Sequence, residues 1–376
     1  MSLLTDDQKM LRETAAQVMA TEGSIARQLR RLRDSGSEDG FDRALWTQFG
    51  ELGLAGICIP EAHGGMGLGA TEAALVLEEV GRNLTPSPFL TTAVAAVRAL
   101  DGSAQAEKWF PGILAGETVA ALAIDEGRRH APEQVAMRAE RQGNGFVLNG
   151  TKQFVVHGAS ADLILVAART AGAPGESDGL TLFAVARDAA GVGVENVTLA
   201  DASKAARLTF DKVALDGDAV VGEVDGGWGP LSRALGAGRA GAAAELVGVA
   251  AGASAMTLDY LKQRKQFGKL IGEFQALQHR AAHLFGEIEI ARAAAFKAAE
   301  LLDAGDGEAE RMVSVAKAKA ASVGALAVQE GVQMHGGIGM TDEHDIGFYV
   351  KRAAVLGELF GDARYHRARV AQLSGY

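Results

Sequence analysis

Two stretches of the chain combine residue types that suit the binding of a phosphate-bearing ligand. Arg264 opens the run Arg-Lys-Gln-Phe-Gly, and its guanidinium can form charge-assisted hydrogen bonds to phosphate oxygens. Further along, Gly336 and Gly337 lack Cβ atoms, so a nucleotide can approach their backbone closely. A plain helix corner with a salt bridge at Arg264 is the alternative. Both stretches are therefore candidates for a nucleotide site.

Helical patterns flank the Arg264 stretch on both sides. Residues 239–262 are rich in Ala, Leu and Val, and residues 274–302 repeat apolar side chains at helical spacing. Gly268 and Gly272 interrupt this pattern. We therefore expect a corner between two long antiparallel helices.

The middle of the chain has a different period, which begins at Val119. The strand-like runs are residues 119–124, 145–149, 154–156, 163–167, 180–185 and 206–210. No helical pattern separates them, which favours a small antiparallel β-domain over βαβ units. The absence of Gly-x-Gly-x-x-Gly between a strand and a helix argues against a Rossmann fold.

The predicted fold class is α+β with several domains. Residues 1–117 form an N-terminal helical domain whose first helix is capped by Thr5 or Asp6, and residues 118–224 form the middle antiparallel β-domain. Residues 225–376 form a C-terminal four-helix bundle.

Composition narrows the class of protein. The net charge of −10 argues against a nucleic-acid partner and gives no reason to expect a membrane surface. One cysteine, Cys58, cannot form an intramolecular disulfide and fits a reducing compartment. The first residues resemble a capped helix start and not a signal peptide, and no run reaches the ~20 apolar residues of a membrane span. We expect a cytoplasmic protein.

The two candidate stretches resemble those of the acyl-CoA dehydrogenase family. That family carries Arg-x-x-Phe-Gly followed by Phe-Gln-x-x-Gln, and later Gln-x-x-Gly-Gly-x-Gly; here these begin at Arg264 and Gln333. The resemblance implies that Arg264, Phe267, Gln333, Gly336 and Gly337 contact the adenosine and pyrophosphate of FAD across a subunit interface.

The resemblance weakens in the β-domain. The family's Thr-Glu-Pro-x-x-Gly-Ser-Asp run is replaced by residues 125–132, of which only Glu126 matches. The family's Asn-Gly-x-Lys-x-Trp-Ile-Thr is matched from Asn149, with Phe154 in place of Trp and Val156 in place of Thr. The resemblance implies that Phe154 and Val156 flank the flavin ring, without the hydroxyl that would bond near N5.

The catalytic base is the second departure from the family pattern. Removal of the α-proton of a thioester requires a carboxylate in a dry pocket with its pKa raised. Both usual family positions are glycine, Gly361 and Gly238. Asp362 and Glu358 are the nearest candidates, with Asp362 favoured and Glu245 a further acid. Helix capping and a solvated helix face are the alternative interpretations.

The resemblance implies an FAD-dependent enzyme that oxidises an acyl-CoA at its α and β carbons and passes electrons to electron-transfer flavoprotein. It implies an oligomer, most commonly a dimer of dimers, and bulky substrates such as sterol side chains. The alternative is a non-catalytic partner subunit that contributes half of a shared FAD site in a hetero-oligomer. A flavin enzyme that uses oxygen as acceptor is a third interpretation.

Overall fold

The computed structural model describes residues 4–376. The predicted absence of a signal peptide rests partly on residues 1–3, which lie outside this part. The first helix begins as predicted, because Thr5 caps it and exchanges hydrogen bonds with Gln8 in a capping box.

The chain folds into two compact units. Within the described residues, one unit, the helical unit, contains residues 4–30, 70–85 and 239–376, and the other, the β unit, contains residues 31–69 and 86–238. In chain order the α-helices are α1 (Asp6–Thr21), α2 (Arg30–Asp34), α3 (Arg43–Glu51), α4 (Ala70–Asn83), α5 (Val97–Leu100), α6 (Gln105–Leu114), α7 (Trp228–Gln263), α8 (Gln275–Asp303), α9 (Ala309–His335), α10 (Ile346–Glu358) and α11 (Ala363–Leu373). The predicted domain boundaries remain a prediction.

The β unit is built around one sheet. Its strands are β1 (Ala120–Ala123), β2 (Arg138–Gln142), β3 (Gly145–Val156), β4 (Leu163–Arg169), β5 (Leu180–Ala186), β6 (Val192–Thr198) and β7 (Lys204–Leu215). β3 pairs antiparallel with β2 and β7, β7 with β6, and β4 with β5. β1 and β2 pair parallel with β4, so the sheet is mixed where the sequence predicted antiparallel pairing throughout.

Two strands of this sheet were not predicted from the sequence. β2 and β6 are mostly exposed and polar, so they lack the apolar runs that identified the other strands. The predicted runs 145–149 and 154–156 belong to one strand, β3, whose pairing with β7 shifts register between Lys152 and Val155. This bulge explains why one strand resembled two in the sequence.

Glycines allow helices α4 and α7 to approach each other closely within the helical unit. A Cβ atom at Gly81 would lie 2.1 Å from the carbonyl oxygen of Glu245, and one at Gly248 would lie 2.0 Å from that of Glu78. Because each neighbour is a backbone atom, neither helix can accommodate a side chain without shifting. The two glycines therefore set the spacing of this helix pair.

Helix α7 also bears on the expectation that no segment could span a membrane. Among the described residues it is the one helix long and apolar enough to do so, and 83% of its most apolar window is buried inside the structure. The sequence did not predict this length of apolar helix, because single charged residues and glycines interrupt its apolar runs. A buried core helix meets the same criterion, and most of α7 is buried.

The close helix crossing generates a stability prediction. Gly248→Ala should lower the free energy of unfolding by about 1–3 kcal/mol, because the new methyl group overlaps a carbonyl that cannot rotate away. Gly347→Ala in α10 is the control, since nothing lies within 4 Å of the added methyl group there. Urea unfolding of both variants measures the difference. Equal midpoints for the two variants would show that the crossing tolerates a wider spacing.

Candidate active site

The predicted corner follows α7 and presents exposed side chains. A short hairpin of β8 (Lys265–Gln266) and β9 (Lys269–Leu270) forms it. The side chain of Arg264 is exposed and forms no hydrogen bond or ion pair within residues 4–376. Phe267 has a left-handed backbone, with φ of 54°, and its side chain is 91% exposed. An unpaired guanidinium and an uncovered aromatic ring are both available to a ligand.

The second predicted stretch begins at the end of α9. Gly336 adopts a φ of 65°, which L side chains rarely adopt, and follows His335 directly. No atom lies within 4 Å of the Cβ positions of Gly336 and Gly337, so their exposed backbone faces open space. Gln333, in the last turn of α9, is also exposed. A flat ligand can therefore approach this backbone.

An aromatic contact brings the two stretches together. The ring of Tyr260, one turn before Arg264, lies with its centroid 4.6 Å from that of His335. His335 is anchored in turn, because its Nδ1 lies 2.7 Å from the Gly331 carbonyl oxygen, which can only accept. Burial lowers the pKa of His335, which favours the neutral form of the ring. The contact thus places the ends of α7 and α9, which lead into Arg264 and Gly336, side by side within the helical unit.

The residues predicted to flank the flavin ring lie on β3 of the β unit. The bulge turns Phe154 outward, with φ of 53° and 59% of its side chain exposed. Val156 is half-buried. Lys152 anchors the strand beneath them: it is fully buried and donates to Glu126 at 2.7 Å and to the Ile124 carbonyl at 3.0 Å. Burial lowers the pKa of Lys152, against the opposing charge of Glu126.

The turn between α10 and α11 carries the position where family members place their base. Phe360 and Gly361 both have left-handed backbones, with φ of 58° and 107°. The Phe360 carbonyl accepts a hydrogen bond from Arg239 at 3.3 Å and lies 3.1 Å from Nε2 of His366. A Cβ atom at Gly361 would lie only 2.6 Å from the Tyr365 ring. Space for a side chain at position 361 is therefore already filled.

The three acidic residues considered as the base are a helix cap, an exposed carboxylate and one member of a buried ion pair. Asp362 is the N-cap of α11 and accepts from the backbone N–H of Tyr365 at 2.6 Å. Glu358 is exposed at the end of α10. Glu245 is buried and forms an ion pair with Arg352, which donates from Nε at 2.9 Å. None of the three has the dry, unpaired setting expected of a thioester base within the helical unit.

Sequence reasoning missed the buried cation that holds this turn. Lys317 on α9 donates from Nζ to the carbonyls of Leu356, Gly357 and Gly361 at 2.9, 3.0 and 3.1 Å. In the sequence it lies four residues after Val313, as a charged residue on an apolar helix face. That position was the signal available, since a buried lysine requires several acceptors.

Lys317 also determines a pH dependence of stability. Burial lowers its pKa from 10.5 to about 7, while Glu358 and Asp362 oppose that shift and Arg239 adds to it. Since the folded state releases this proton first, stability should rise from pH 7 to 10, by at most about 1.4 kcal/mol per pH unit.

The test is urea unfolding of Lys317→Met between pH 7 and 9.5. The variant should lack the rise in stability with pH that the unmodified protein shows. Lys319→Met is the control, because Lys319 lies on the same helix and pairs with Glu287 at 2.6 Å near the surface. Parallel pH profiles for Lys317→Met and the unmodified protein would contradict the assignment.

Known proteins with matching sequence and fold bear on this site. The chain matches the acyl-CoA dehydrogenase N-terminal domain over residues 5–117, the middle domain over residues 125–213 and the C-terminal domain over residues 225–374. Acyl-CoA dehydrogenase FadE12 of Mycobacterium tuberculosis is 33% identical over 313 residues, which cover 80% of each chain.

Two solved structures share the fold over nearly the whole chain. The Tcur3481–Tcur3483 steroid ACAD G363A variant has a TM-score of 0.88 and 31% identity, covering 98% of both chains. The ChsE4–ChsE5 complex of Mycobacterium tuberculosis has a TM-score of 0.89 and 25% identity, covering 100% of this chain and 99% of that one. The predicted fold class is confirmed, and the chain belongs to the acyl-CoA dehydrogenase family of FAD-using oxidoreductases.

Proposed function

We propose that this chain contributes its helical corner to an FAD site at which an acyl-CoA thioester is oxidised between its α and β carbons. The observation that carries the proposal is the contact of Tyr260 with His335, at 4.6 Å between centroids. It places the end of α7, which the unpaired Arg264 follows, beside the end of α9, which leads into the open glycine backbone, in a chain of the acyl-CoA dehydrogenase family. Those are the groups that a dinucleotide pyrophosphate needs.

The residues present fit the nucleotide half of FAD. Arg264 would pair with pyrophosphate oxygens, and Phe267, 91% exposed, would cover an aromatic or apolar group of the ligand. Gln333, Gly336 and Gly337 would border the adenosine, since their exposed backbone admits close approach. Bound FAD would supply the acceptor for the hydride that leaves the β-carbon.

The residues on β3 fit the flavin ring only in part. Phe154 offers an exposed aromatic face beside which a ring system can lie. Val156 cannot donate a hydrogen bond from its side chain, so that side chain gives packing alone. Lys152 and its bond to Glu126 hold the strand that carries both residues.

A carboxylate must take the α-proton, and Asp362 is the favoured group of this chain with Glu358 second. Asp362 uses one oxygen to accept from the Tyr365 N–H, which leaves its other oxygen for a proton. Glu358 is exposed and one helical turn away from Gly361. Either role requires the carboxylate to be enclosed by a ligand or by another subunit.

Substrate and assembly follow from the likeness to the two solved structures. A steroid ACAD at 31% identity supports a bulky acyl group as the substrate class. The ChsE4–ChsE5 complex supports assembly with a related but different chain, and the family resemblance supports a homo-oligomer that is a dimer of dimers. A cytoplasmic location and electron-transfer flavoprotein as the acceptor complete the proposal.

A second candidate function is that of a partner subunit, which would lend its Arg264 corner to an FAD held mainly by another chain. The specific observation in its favour is the α10–α11 turn. A side chain at position 361 would overlap Tyr365, and the next residue, Asp362, caps a helix. Under this alternative the other chain supplies the base.

The cofactor assignment is tested by Arg264→Ala. This variant should lose most bound FAD during purification, because the pyrophosphate loses a charge-assisted hydrogen bond worth about 1.5–3 kcal/mol. Lys265→Ala is the control, since it removes a neighbouring exposed positive charge from the same corner. Absorbance at the flavin bands, with mass in solution, reports the outcome. Full flavin in the Arg264→Ala protein, or in a monomer, would refute the assignment.

The base assignment is tested by Asp362→Asn and Glu358→Gln. Asparagine caps helices as well as aspartate, so Asp362→Asn keeps α11 and removes only the basic oxygen. Loss of the true base should slow flavin bleaching by acyl-CoA about 10²–10⁴-fold. Wild-type bleaching rates in both variants would reject the two residues. A parent protein that holds FAD yet bleaches with no acyl-CoA would put the partner-subunit function first.

A further inference from the structure

Residues 125–132 form a loop with two adjacent arginines, where the family resemblance leads one to expect a hydroxyl-rich run. At its tip, Arg128 and Arg129 follow Gly127, and both guanidinium side chains are exposed. Neither guanidinium forms a hydrogen bond or ion pair anywhere in residues 4–376. Two adjacent cations without a partner stand out in a chain of net charge −10.

The Asp125 carboxylate, three residues before Arg128, already has hydrogen-bond partners within the loop. Asp125 accepts from the backbone N–H of Ala131 at 3.0 Å, and its other oxygen lies 2.8 Å from Nδ1 of His130. These two bonds close the loop on itself. Asp125 therefore fixes the shape of the loop and has little capacity left to neutralise the arginines.

The Glu126 carboxylate, two residues before Arg128, has more hydrogen-bond partners than Asp125 has. Glu126 accepts from the backbone N–H groups of Ala136 and Met137, each at 3.0 Å, and from the buried Lys152 at 2.7 Å. Its charge is thus balanced by a cation beneath the loop. Arg128 and Arg129 therefore form an ion pair with neither carboxylate, and they stand on a backbone that is held at both ends.

The bond between Lys152 and Glu126 also ties the loop to the strand that carries the predicted flavin-ring residues. Lys152 lies on β3 two residues before Phe154, and the backbone N–H of Gln153 donates to the Asp125 carbonyl at 2.7 Å. A substrate whose thioester lies beside this strand extends its charged end away from the reacting carbons. The arginine pair lies on the loop that these two bonds fasten to the strand, and it offers positive charge to such a phosphate-bearing end.

We propose that Arg128 and Arg129 bind the phosphate groups of the coenzyme A portion of the substrate. Arginine suits this role because its planar fork pairs with phosphate oxygens in two parallel hydrogen bonds. The inference rests on the proposed function, since it takes an acyl-CoA as the substrate. FAD also carries phosphates, so the ligand chemistry is shared and the experiment must separate the two sources.

The experiment titrates the FAD-loaded protein with free coenzyme A, 3′-dephospho-coenzyme A and pantetheine by calorimetry. The double variant Arg128→Gln/Arg129→Gln should bind coenzyme A roughly 5- to 25-fold more weakly, as expected for two exposed ion pairs. Its affinity for pantetheine, which has no phosphate, should match that of the parent. The loss should shrink in high salt, because exposed charges are screened. 3′-Dephospho-coenzyme A tells which phosphates the arginines contact.

Two further proteins separate phosphate binding from loop structure. Arg128→Lys/Arg129→Lys keeps both charges and should recover part of the affinity for coenzyme A. Arg187→Gln is the matched control, because Arg187 is another exposed arginine of the β unit whose side chain has no partner in residues 4–376. It should bind coenzyme A as the parent does.

Three results would overturn the proposal. Unchanged affinity of the glutamine double variant for coenzyme A would show that the arginines do not contact it. An equal loss of affinity for coenzyme A and for pantetheine would show that the arginines only maintain the shape of the loop. Loss of bound FAD from the double variant would assign them to the flavin phosphates. Failure of the proposed function would differ from all three, since the parent would then lack FAD or leave it unbleached by every acyl-CoA.

Discussion

The close crossing of α4 and α7 is the constraint on which the helical unit depends. Gly81 and Gly248 allow each helix to rest on a carbonyl of the other, at distances that exclude any side chain. Helix α7 carries Arg239 in its first half and leads into Arg264 at its end. Its placement on α4 therefore sets the positions of both the guanidinium beside the α10–α11 turn and the one at the exposed corner.

The α10–α11 turn shows how a family position can keep its backbone and change its use. The family resemblance assigns position 361 to the catalytic base, which a glycine cannot supply. In this chain the turn presents carbonyl oxygens to cations: Phe360 to Arg239, and Gly361 to Lys317. The buried Lys317 ammonium requires hydrogen-bond acceptors, because burial of an unpaired charge is costly. The carbonyl of Gly361 is one of these acceptors, and the absence of a Cβ atom at this position leaves room for the Tyr365 ring.

The two departures from the family pattern have opposite characters. At the α10–α11 turn the chain has lost a functional group and filled its space. In the loop from Asp125 to Pro132 it has lost hydroxyls and gained a pair of unpaired arginines on a backbone held by Asp125 and Glu126.

The sequence by itself determined the order of the helical and β regions, the corner at Arg264 and the open backbone at Gly336. These depend on local properties: apolar period, glycine conformation and the order of residue types. It also determined the family, because the two motifs occur together. Exposed strands such as β2 and β6 escaped it, since their polar residues give no apolar run.

Only the tertiary structure decided which groups meet. The acceptors of Lys317 lie 39, 40 and 44 residues away in sequence, and no local pattern indicates such a pairing. The parallel pairing of β1 with β4 and the contact of Tyr260 with His335 are likewise long-range. Asp362 was identified as a candidate base by its position, and the fold made it a helix cap because the N–H of Tyr365 lies within its reach. The chemistry of a side chain depends on such neighbours, and packing against residues that are distant in the sequence determines which neighbours it has.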